Sequence, residues 1–299
     1  MAGGMMGAVS RVTIVGAPTS AGAYAPGQEE GPRAMRDAGL LDALAARGVE
    51  VADAGDVEAF RWAPDPGRPR AANLEAVAER ARPVAALVAG GDSSVLVLGG
   101  DCTVELGTIA GLRDRVERLG LVYLDLHADL NVPSSVVDGA LDWMGVAHLL
   151  DVEGAESELA GIGSSRPLLE DDQLVFLGVR PGTEFEQATI EGRGLAVVDV
   201  DALGADPAGA ASQALGALAG CDAVAVHFDV DLVHFLDAPL AENTAREGVT
   251  LEVAATAQHV LTADPRFRAL TVTEHNPFHG AADGSTTRRL VEVLARALS

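Results

Sequence analysis

The chain contains no lysine; its 21 basic residues are all arginine. That absence excludes a Schiff-base lysine and a lysine-bearing phosphate loop, and no Gly-x-Gly-x-x-Gly accompanies Gly99-Gly100 to suggest a dinucleotide cradle. Cysteine is nearly as scarce. Cys102 and Cys221 are too few in 299 residues for a disulfide framework. Although 48% of the residues are hydrophobic, no apolar run is long enough to span a bilayer. Met1 to Ser10 shows neither a basic start nor a continuous apolar segment, so no export signal and a cytoplasmic protein are expected. Positive charge is in deficit throughout: the net charge of −23 argues against nucleic acid as a partner and is compatible with a small cationic substrate.

The chain is rich in strand-length apolar runs separated by helical patterns. The runs are Val12 to Ala17, Val49 to Ala54, Val95 to Leu98, Leu121 to Leu126, Leu174 to Val179, Leu195 to Val200, Ala223 to Phe228 and Ala269 to Val272. They are continuous rather than alternating, as strands covered on both faces should be. Helical patterns fill Pro32 to Arg47, Asn73 to Ala89, Ala208 to Ala219, Leu251 to Thr262 and Ser285 to Leu298, while Arg61 to Arg70 and Ser134 to Asp151 read as long connections. The alternation predicts an α/β fold: one doubly wound domain over residues 1–299, with a mainly parallel sheet of about eight strands flanked by helices.

Two of these runs end in polar residues where a buried strand should present hydrocarbon. In Leu124-Asp125-Leu126-His127-Ala128-Asp129 the polar residues fall two apart, so strand geometry points Asp125, His127 and Asp129 to one face. The same arithmetic groups His227, Asp229 and Asp231 in the run that begins at Ala223. Four carboxylates and two imidazoles placed so densely at strand ends would repel and lose solvation unless cations neutralise them, which points to a metal site. The competing reading is a buried ion-pair network without metal, for which the nearby arginines are few. Ligands of parallel sheets bind beyond the carboxyl ends of the strands, where both clusters lie.

Taken in order, Gly99-Gly100-Asp101-Cys102, Asp125-Leu126-His127-Ala128-Asp129, Asp229-Val230-Asp231 and Thr273-Glu274-His275-Asn276-Pro277 resemble the blocks of the arginase, agmatinase and formiminoglutamase family of ureohydrolases. Gly16-Ala17-Pro18, Glu29-Glu30-Gly31-Pro32 and Ala38-Gly39-Leu40 look like the family's opening strand, loop and helix, and Gly107 to Gly111 like the helix after its third strand. The resemblance implies an arginase-like fold, a pair of Mn2+ ions bridged by a hydroxide that attacks a guanidinium carbon, release of urea, and assembly as a homo-oligomer. Carried over by position, it implies that Asp125 and Asp229 bridge the ions, that His127 and Asp231 complete one site, and that Asp129 helps the other and accepts a proton. It further implies that Glu274 holds the guanidinium and that Asn131 lies near the far end of the substrate.

The chain departs from the family pattern in four places. Cys102 stands where relatives carry His; a thiolate is a soft ligand poorly matched to manganese, so one or two ions per chain are expected, with the Cys102 site the weaker. Cys102 is equally readable as an inert buried thiol. Asp142, in Leu141-Asp142-Trp143-Met144-Gly145, occupies the place of a His that serves arginases as a proton shuttle; it is either a replacement shuttle or a helix N-cap. The loop Gly178-Val179-Arg180-Pro181-Gly182-Thr183-Glu184 lacks the family's usual aspartates, leaving Glu184 or Glu186 to read the substrate's amino group. After Asp231 comes His234-Phe235 and then Pro239-Leu240-Ala241-Glu242-Asn243, which resembles the Cys-variant subgroup that includes the Nω-hydroxyarginine hydrolase of cycloserine biosynthesis.

His227 shares the face of Asp229 and is either a compensating ligand or acid–base group, or a histidine bonded to a ligand carboxylate. The expected activity is hydrolysis of a guanidino C–N bond in an arginine-like substrate, or in Nω-hydroxyarginine, giving urea or hydroxyurea. The alternatives are another guanidino or formimino compound, or a non-catalytic metal-binding relative.

Overall fold

The computed structural model describes residues 9–244 and 246–299; the segment read for an export signal therefore lies mostly outside the described residues. Eight strands form one sheet: β1 (Arg11–Gly16), β2 (Glu50–Asp56), β3 (Ser94–Leu98), β4 (Leu119–Leu124), β5 (Leu174–Val179), β6 (Ala196–Asp199), β7 (Ala223–Asp229) and β8 (Phe267–Thr273). Their spatial order is β2-β1-β3-β8-β7-β4-β5-β6, and every pairing is parallel. The eight apolar runs of the sequence are these eight strands. Among the described residues no helix is long and apolar enough to cross a membrane.

Eleven helices flank the sheet: α1 (Gly31–Asp37), α2 (Leu40–Ala45), α3 (Leu74–Gly90), α4 (Val104–Arg113), α5 (Gly145–Leu149), α6 (Ser157–Ala160), α7 (Glu184–Arg193), α8 (Val200–Ala205), α9 (Pro207–Ala217), α10 (Leu251–Thr262) and α11 (Ser285–Ala297). Strand alternation divides the core between the two faces. Along β7, Val224, Val226 and Phe228 join the cluster packed under α2, α9, α10 and α11, whereas Ala223 and Ala225 join the one under α3, α4 and α5. Along β4, Val122 and Leu124 go one way and Leu121 and Tyr123 the other. Both faces are thus dry in the central strands, which is why their sequences read as unbroken apolar runs.

The structure departs from expectation in places with clear physical causes. The edge strand β2 is largely exposed rather than covered on both faces, because only β1 pairs with it. The single helix expected from Pro32 to Arg47 is two, divided where Gly39 adopts φ 90°, a left-handed conformation that ends a helix. The connection from Ser134 to Asp151 contains α5 and a 3-10 turn over Asp142–Met144. Helix α7 lies in what reads as loop; its signal is the capping box Thr183-x-x-Glu186, in which the Thr183 hydroxyl accepts the Glu186 N–H at 3.1 Å.

The chain order brings the last two strands, β7 and β8, between β3 and β4. As a result the four adjacent central strands β3, β8, β7 and β4 all deliver polar residues at their carboxyl ends. The turn after β3 is fixed by glycine: a Cβ on Gly100 would lie 1.6 Å from the Thr19 carbonyl oxygen. Buried Asp101 then accepts N–H bonds from Gly22 at 2.9 Å and Thr103 at 3.0 Å, which holds the loop carrying Cys102.

Candidate metal and catalytic site

The strand ends are built by one device used twice. Strand β4 stops at Leu124, and Asp125 Oδ1 accepts the His127 N–H at 2.8 Å; strand β7 stops at Asp229, whose Oδ1 accepts the Asp231 N–H at 2.7 Å. Each turn leaves the second oxygen of its aspartate for another partner. The strands end too early for strict alternation to hold, so Asp231 sits in a 3-10 turn over Val230–Leu232 and Asp129 in a loop at φ 49°. That corrects the single polar face expected at each end.

Two ligand groups result, each with donor atoms within 4.8 Å of one another. One comprises Cys102, Asp125, His227 and Asp229, the other Asp125, His127 and Asp231. Asp125 is common to both, whereas Asp229 belongs only to the first. Asp129 belongs to neither, although it lines the same cavity, where its Oδ2 accepts a short hydrogen bond from the buried Tyr123 hydroxyl. Asp125 Oδ2 and Asp231 Oδ1 are buried without hydrogen-bond partners. Orphaned buried carboxylate oxygens on two members of one ligand group are what a divalent cation would satisfy, so these residues fit a metal pair.

The electrostatics agree. Burial, then the charges of Asp231 and Asp125, raises the Asp229 carboxyl well above its ordinary range; burial followed by Asp229 does the same to the Cys102 thiol. His127 is pushed far up, chiefly by Asp231; burial raises Asp231 in turn, but the charge and hydrogen bond of His127 together with the bond from Asn243 bring it below its ordinary range. Cations among these carboxylates would reverse the upward shifts.

Glu274 lines the same cavity at the end of β8. Its Oε1 accepts the Cys102 N–H at 3.1 Å and its Oε2 the Gln28 side-chain N–H at 3.0 Å. Its backbone stands at φ 63°, a left-handed conformation rare outside glycine and held here by the Glu274 N–H to Gly100 carbonyl bond at 2.7 Å. Asp142 also lines the cavity; burial and then Asp101 raise its carboxyl, whose Oδ1 accepts the Trp143 N–H at 2.9 Å, and it is the first residue of its 3-10 turn, with Leu141 and not Asp142 at the N-cap. Asn131 is buried, with Oδ1 accepting from Ser135 and Thr183 hydroxyls and Nδ2 unpartnered. Glu184 is exposed on the first turn of α7, whereas Glu186 is buried on the cavity wall and accepts backbone N–H groups from Leu130, Gly182 and Thr183.

Several neighbours escape sequence reading. Asn243 donates to Asp231 Oδ2 at 3.1 Å and lies 3.4 Å from His127 Nε2; Tyr24, Asp138 and Trp143 line the cavity, whose volume is about 390 Å³. Seven lining residues are Asp or Glu and none is Arg. These side chains come from loops distant in sequence, and only the segments containing Trp143 and Asn243 carried a sequence signal, through their resemblance.

Residues 10–299 match the family model described as "Arginase family". The mitochondrial arginase-2 of Rattus norvegicus is 30% identical, with 96% of this chain and 84% of that protein covered, and the arginase of Bacillus caldovelox is 34% identical over 64% of this chain and 67% of its own length. The crystal structure of the Bacillus caldovelox enzyme superposes with a TM-score of 0.87 at 26% identity, covering 97% of this chain and 98% of that one. The proclavaminate amidinohydrolase of Streptomyces clavuligerus, 20% identical with a TM-score of 0.74, shares the fold. Sheet order, strand-end carboxylates and these likenesses lead to one conclusion: the chain belongs to the arginase family, hydrolases that act on amidine C–N bonds.

Proposed function

We propose that this chain is a metal-dependent amidinohydrolase that cleaves a guanidino C–N bond in a small cationic substrate and releases urea, or hydroxyurea when the guanidine is N-hydroxylated. The observation that supports it best is Asp125, shared by two ligand groups on a cavity whose wall also carries Glu274. Asp125, Asp229, Cys102 and His227 would hold one divalent cation, and Asp125, His127 and Asp231 the other. Bound cations of the manganese class would supply a water acidic enough to be deprotonated near neutral pH.

The remaining roles belong to the chain's own groups. Glu274, oriented by Gln28 and the Cys102 N–H, would accept two guanidinium N–H bonds and set the planar head against the cluster. The carboxylate-lined wall excludes free anions and favours a cation. Asp142 would hold the proton delivered to the leaving amine, in keeping with a carboxyl raised by burial. A carboxyl in place of an imidazole shuttle favours a substrate whose leaving group needs less protonation, as in an N-hydroxyguanidine of the Nω-hydroxyarginine kind. Asn131, with its free buried Nδ2, would meet an acceptor at the substrate's far end, and Glu186 would face an amino group there. Asp129, held by Tyr123, is proposed as a proton acceptor rather than a ligand.

The test is Glu274→Gln after manganese loading, assayed for urea from arginine and hydroxyurea from Nω-hydroxyarginine. Losing one charged partner of the guanidinium should lower kcat/KM by about 100-fold, roughly 3 kcal/mol, with metal content unchanged. No product from either substrate by the wild-type chain loaded with manganese, zinc or iron would reject the proposal. Product from formimino compounds alone would shift the reading to that class.

A further inference from the structure

The two ligand groups differ in chemistry, and we infer that the site is heterobinuclear: the Cys102 group selects a zinc-class cation, leaving manganese to the His127 group. This rests on the metal-dependent reading but concerns which cation each half takes.

The Cys102 group offers one sulfur, one imidazole nitrogen and two carboxylates, a four-donor set of the type that tetrahedral zinc prefers. Cys102 Sγ lies 3.6 Å from His227 Nε2 and 3.0 Å from Asp229 Oδ2. A tetrahedral ion with bonds of about 2.1 Å has donor atoms roughly 3.4 Å apart, close to the two Cys102 distances, and all four donors lie within 4.8 Å of one another. All four residues are buried. The Thr273 hydroxyl, 3.3 Å from the sulfur and 3.2 Å from His227 Nε2, completes a polar lining around the same point.

His227 is prepared as a ligand by groups outside the cluster. Its Nδ1 lies 3.3 Å from Glu105 Oε2, on the first turn of α4. A proton on Nδ1 donated to that carboxylate leaves the Nε2 lone pair facing Cys102, the carboxylate–histidine arrangement that fixes tautomer and raises basicity at metal sites. The Tyr123 ring stacks on the imidazole with centroids 4.1 Å apart and planes 3° from parallel, which fixes the ring's rotation. A buried Glu beside a buried His serves no other partner: Glu105 Oε1 has no hydrogen bond.

The second group is harder and wetter. Asp125, His127 and Asp231 supply oxygen and one imidazole without sulfur, the His127 side chain is 33% exposed, and the cavity opens beside it. An open set of mostly oxygen donors leaves room for the water ligands and higher coordination of manganese, whereas thiolate strongly favours zinc over manganese. Binding at the first group converts the Cys102 thiol, which here donates to Asp229 Oδ2, into a thiolate and releases one proton to solvent.

The experiment strips the full chain of metal, then offers zinc and manganese together in equal amounts and measures both per chain. In parallel, one equivalent of cobalt is added and the thiolate-to-cobalt charge-transfer band recorded. The inference expects about one zinc and one manganese, and a thiolate band in the wild-type chain that Cys102→Ser abolishes and Asp231→Asn retains. Glu105→Gln should keep the stoichiometry but weaken zinc roughly 10- to 100-fold. Two manganese ions without zinc, or a wild-type cobalt spectrum lacking the thiolate band, would overturn it, and the latter depends on no variant folding. Urea or hydroxyurea formation with two manganese ions would leave the amidinohydrolase reading standing while this one falls; the mixed pair without product from any guanidine would do the reverse.

Discussion

Asp142 and Glu274 sit on one cavity wall with their charges in mutual conflict, since each is raised by burial and Asp142 ranks next among the causes for Glu274. A guanidinium between them would favour the ionised form of Glu274 and leave Asp142 as the group that holds a proton. Asp142→Asn keeps the shape and the turn but cannot exchange a proton. It is expected to lower kcat by about 100-fold or more while leaving KM nearly unchanged, and to remove one limb of the pH–rate profile. A variant that keeps both limbs would assign the leaving-group proton elsewhere. At this scale the sequence was informative about residue types and weak about direction. Asp125, His127, Asp229 and Asp231 were identifiable as members of one strand-end cluster, yet the left-handed backbone of Asp129, and its bond from the Tyr123 hydroxyl, depend on where the strand ends. Glu105 and Tyr123 gave no signal, because an acidic residue in a helix and a polar residue in a strand have many ordinary uses.

Among the elements, α4 matters most to the site because it follows Cys102 directly and carries Glu105. It lies close against α3 because Gly107 and Gly111 fall one turn apart. A Cβ on Gly107 would meet the Ala81 carbonyl oxygen at 2.5 Å, and one on Gly111 the Ala85 carbonyl oxygen at the same distance. Gly107→Ala therefore has to push two helices apart. It should destabilise the chain by about 1–3 kcal/mol and lower Tm by several degrees. On α9, a Cβ at Gly216 would meet nothing within 4 Å, so Gly216→Ala is the control and should be neutral or slightly stabilising. Equal thermal shifts for the two would refute close packing as the cause. Strand positions were legible because parallel strands buried on both faces carry long apolar runs. Helices α5, α6 and α8 were not, since four to six residues hold too little periodicity to stand out.

Across the whole molecule, acid sensitivity has a source outside the site. Burial pushes His148 and His275 down to about 4, so both stay neutral in the folded chain. The unfolded chain's histidines take up protons near the ordinary value of about 6.5, so the unfolded state binds more protons between those limits. Stability is therefore fully present above about 6.5 and falls as pH drops towards about 4, by up to about 3 kcal/mol per histidine. Raised carboxylates of the metal-free cluster act in the opposite sense, so the test compares thermal midpoints of the metal-stripped wild type and His148→Asn over this range. Asn keeps a donor where His148 Nδ1 lies 2.6 Å from the Met144 carbonyl oxygen. The variant should show a shallower loss on the acid side, and parallel curves would mean that His148 is not titrating.

The sequence by itself determined the class of fold and the family. Apolar runs of strand length force a parallel sheet with both faces covered, and clustered carboxylates at the ends of buried strands are costly in their charged form without a cation beside them. What tertiary structure alone decided is which groups meet. The late insertion of β7 and β8 between β3 and β4 sets Cys102 beside His227 and Asp229, brings Asp231 to His127, and places Glu105 behind the imidazole. Donors 125 and 122 residues apart become neighbours through strand order and the exact point where each strand stops, which local propensity does not encode.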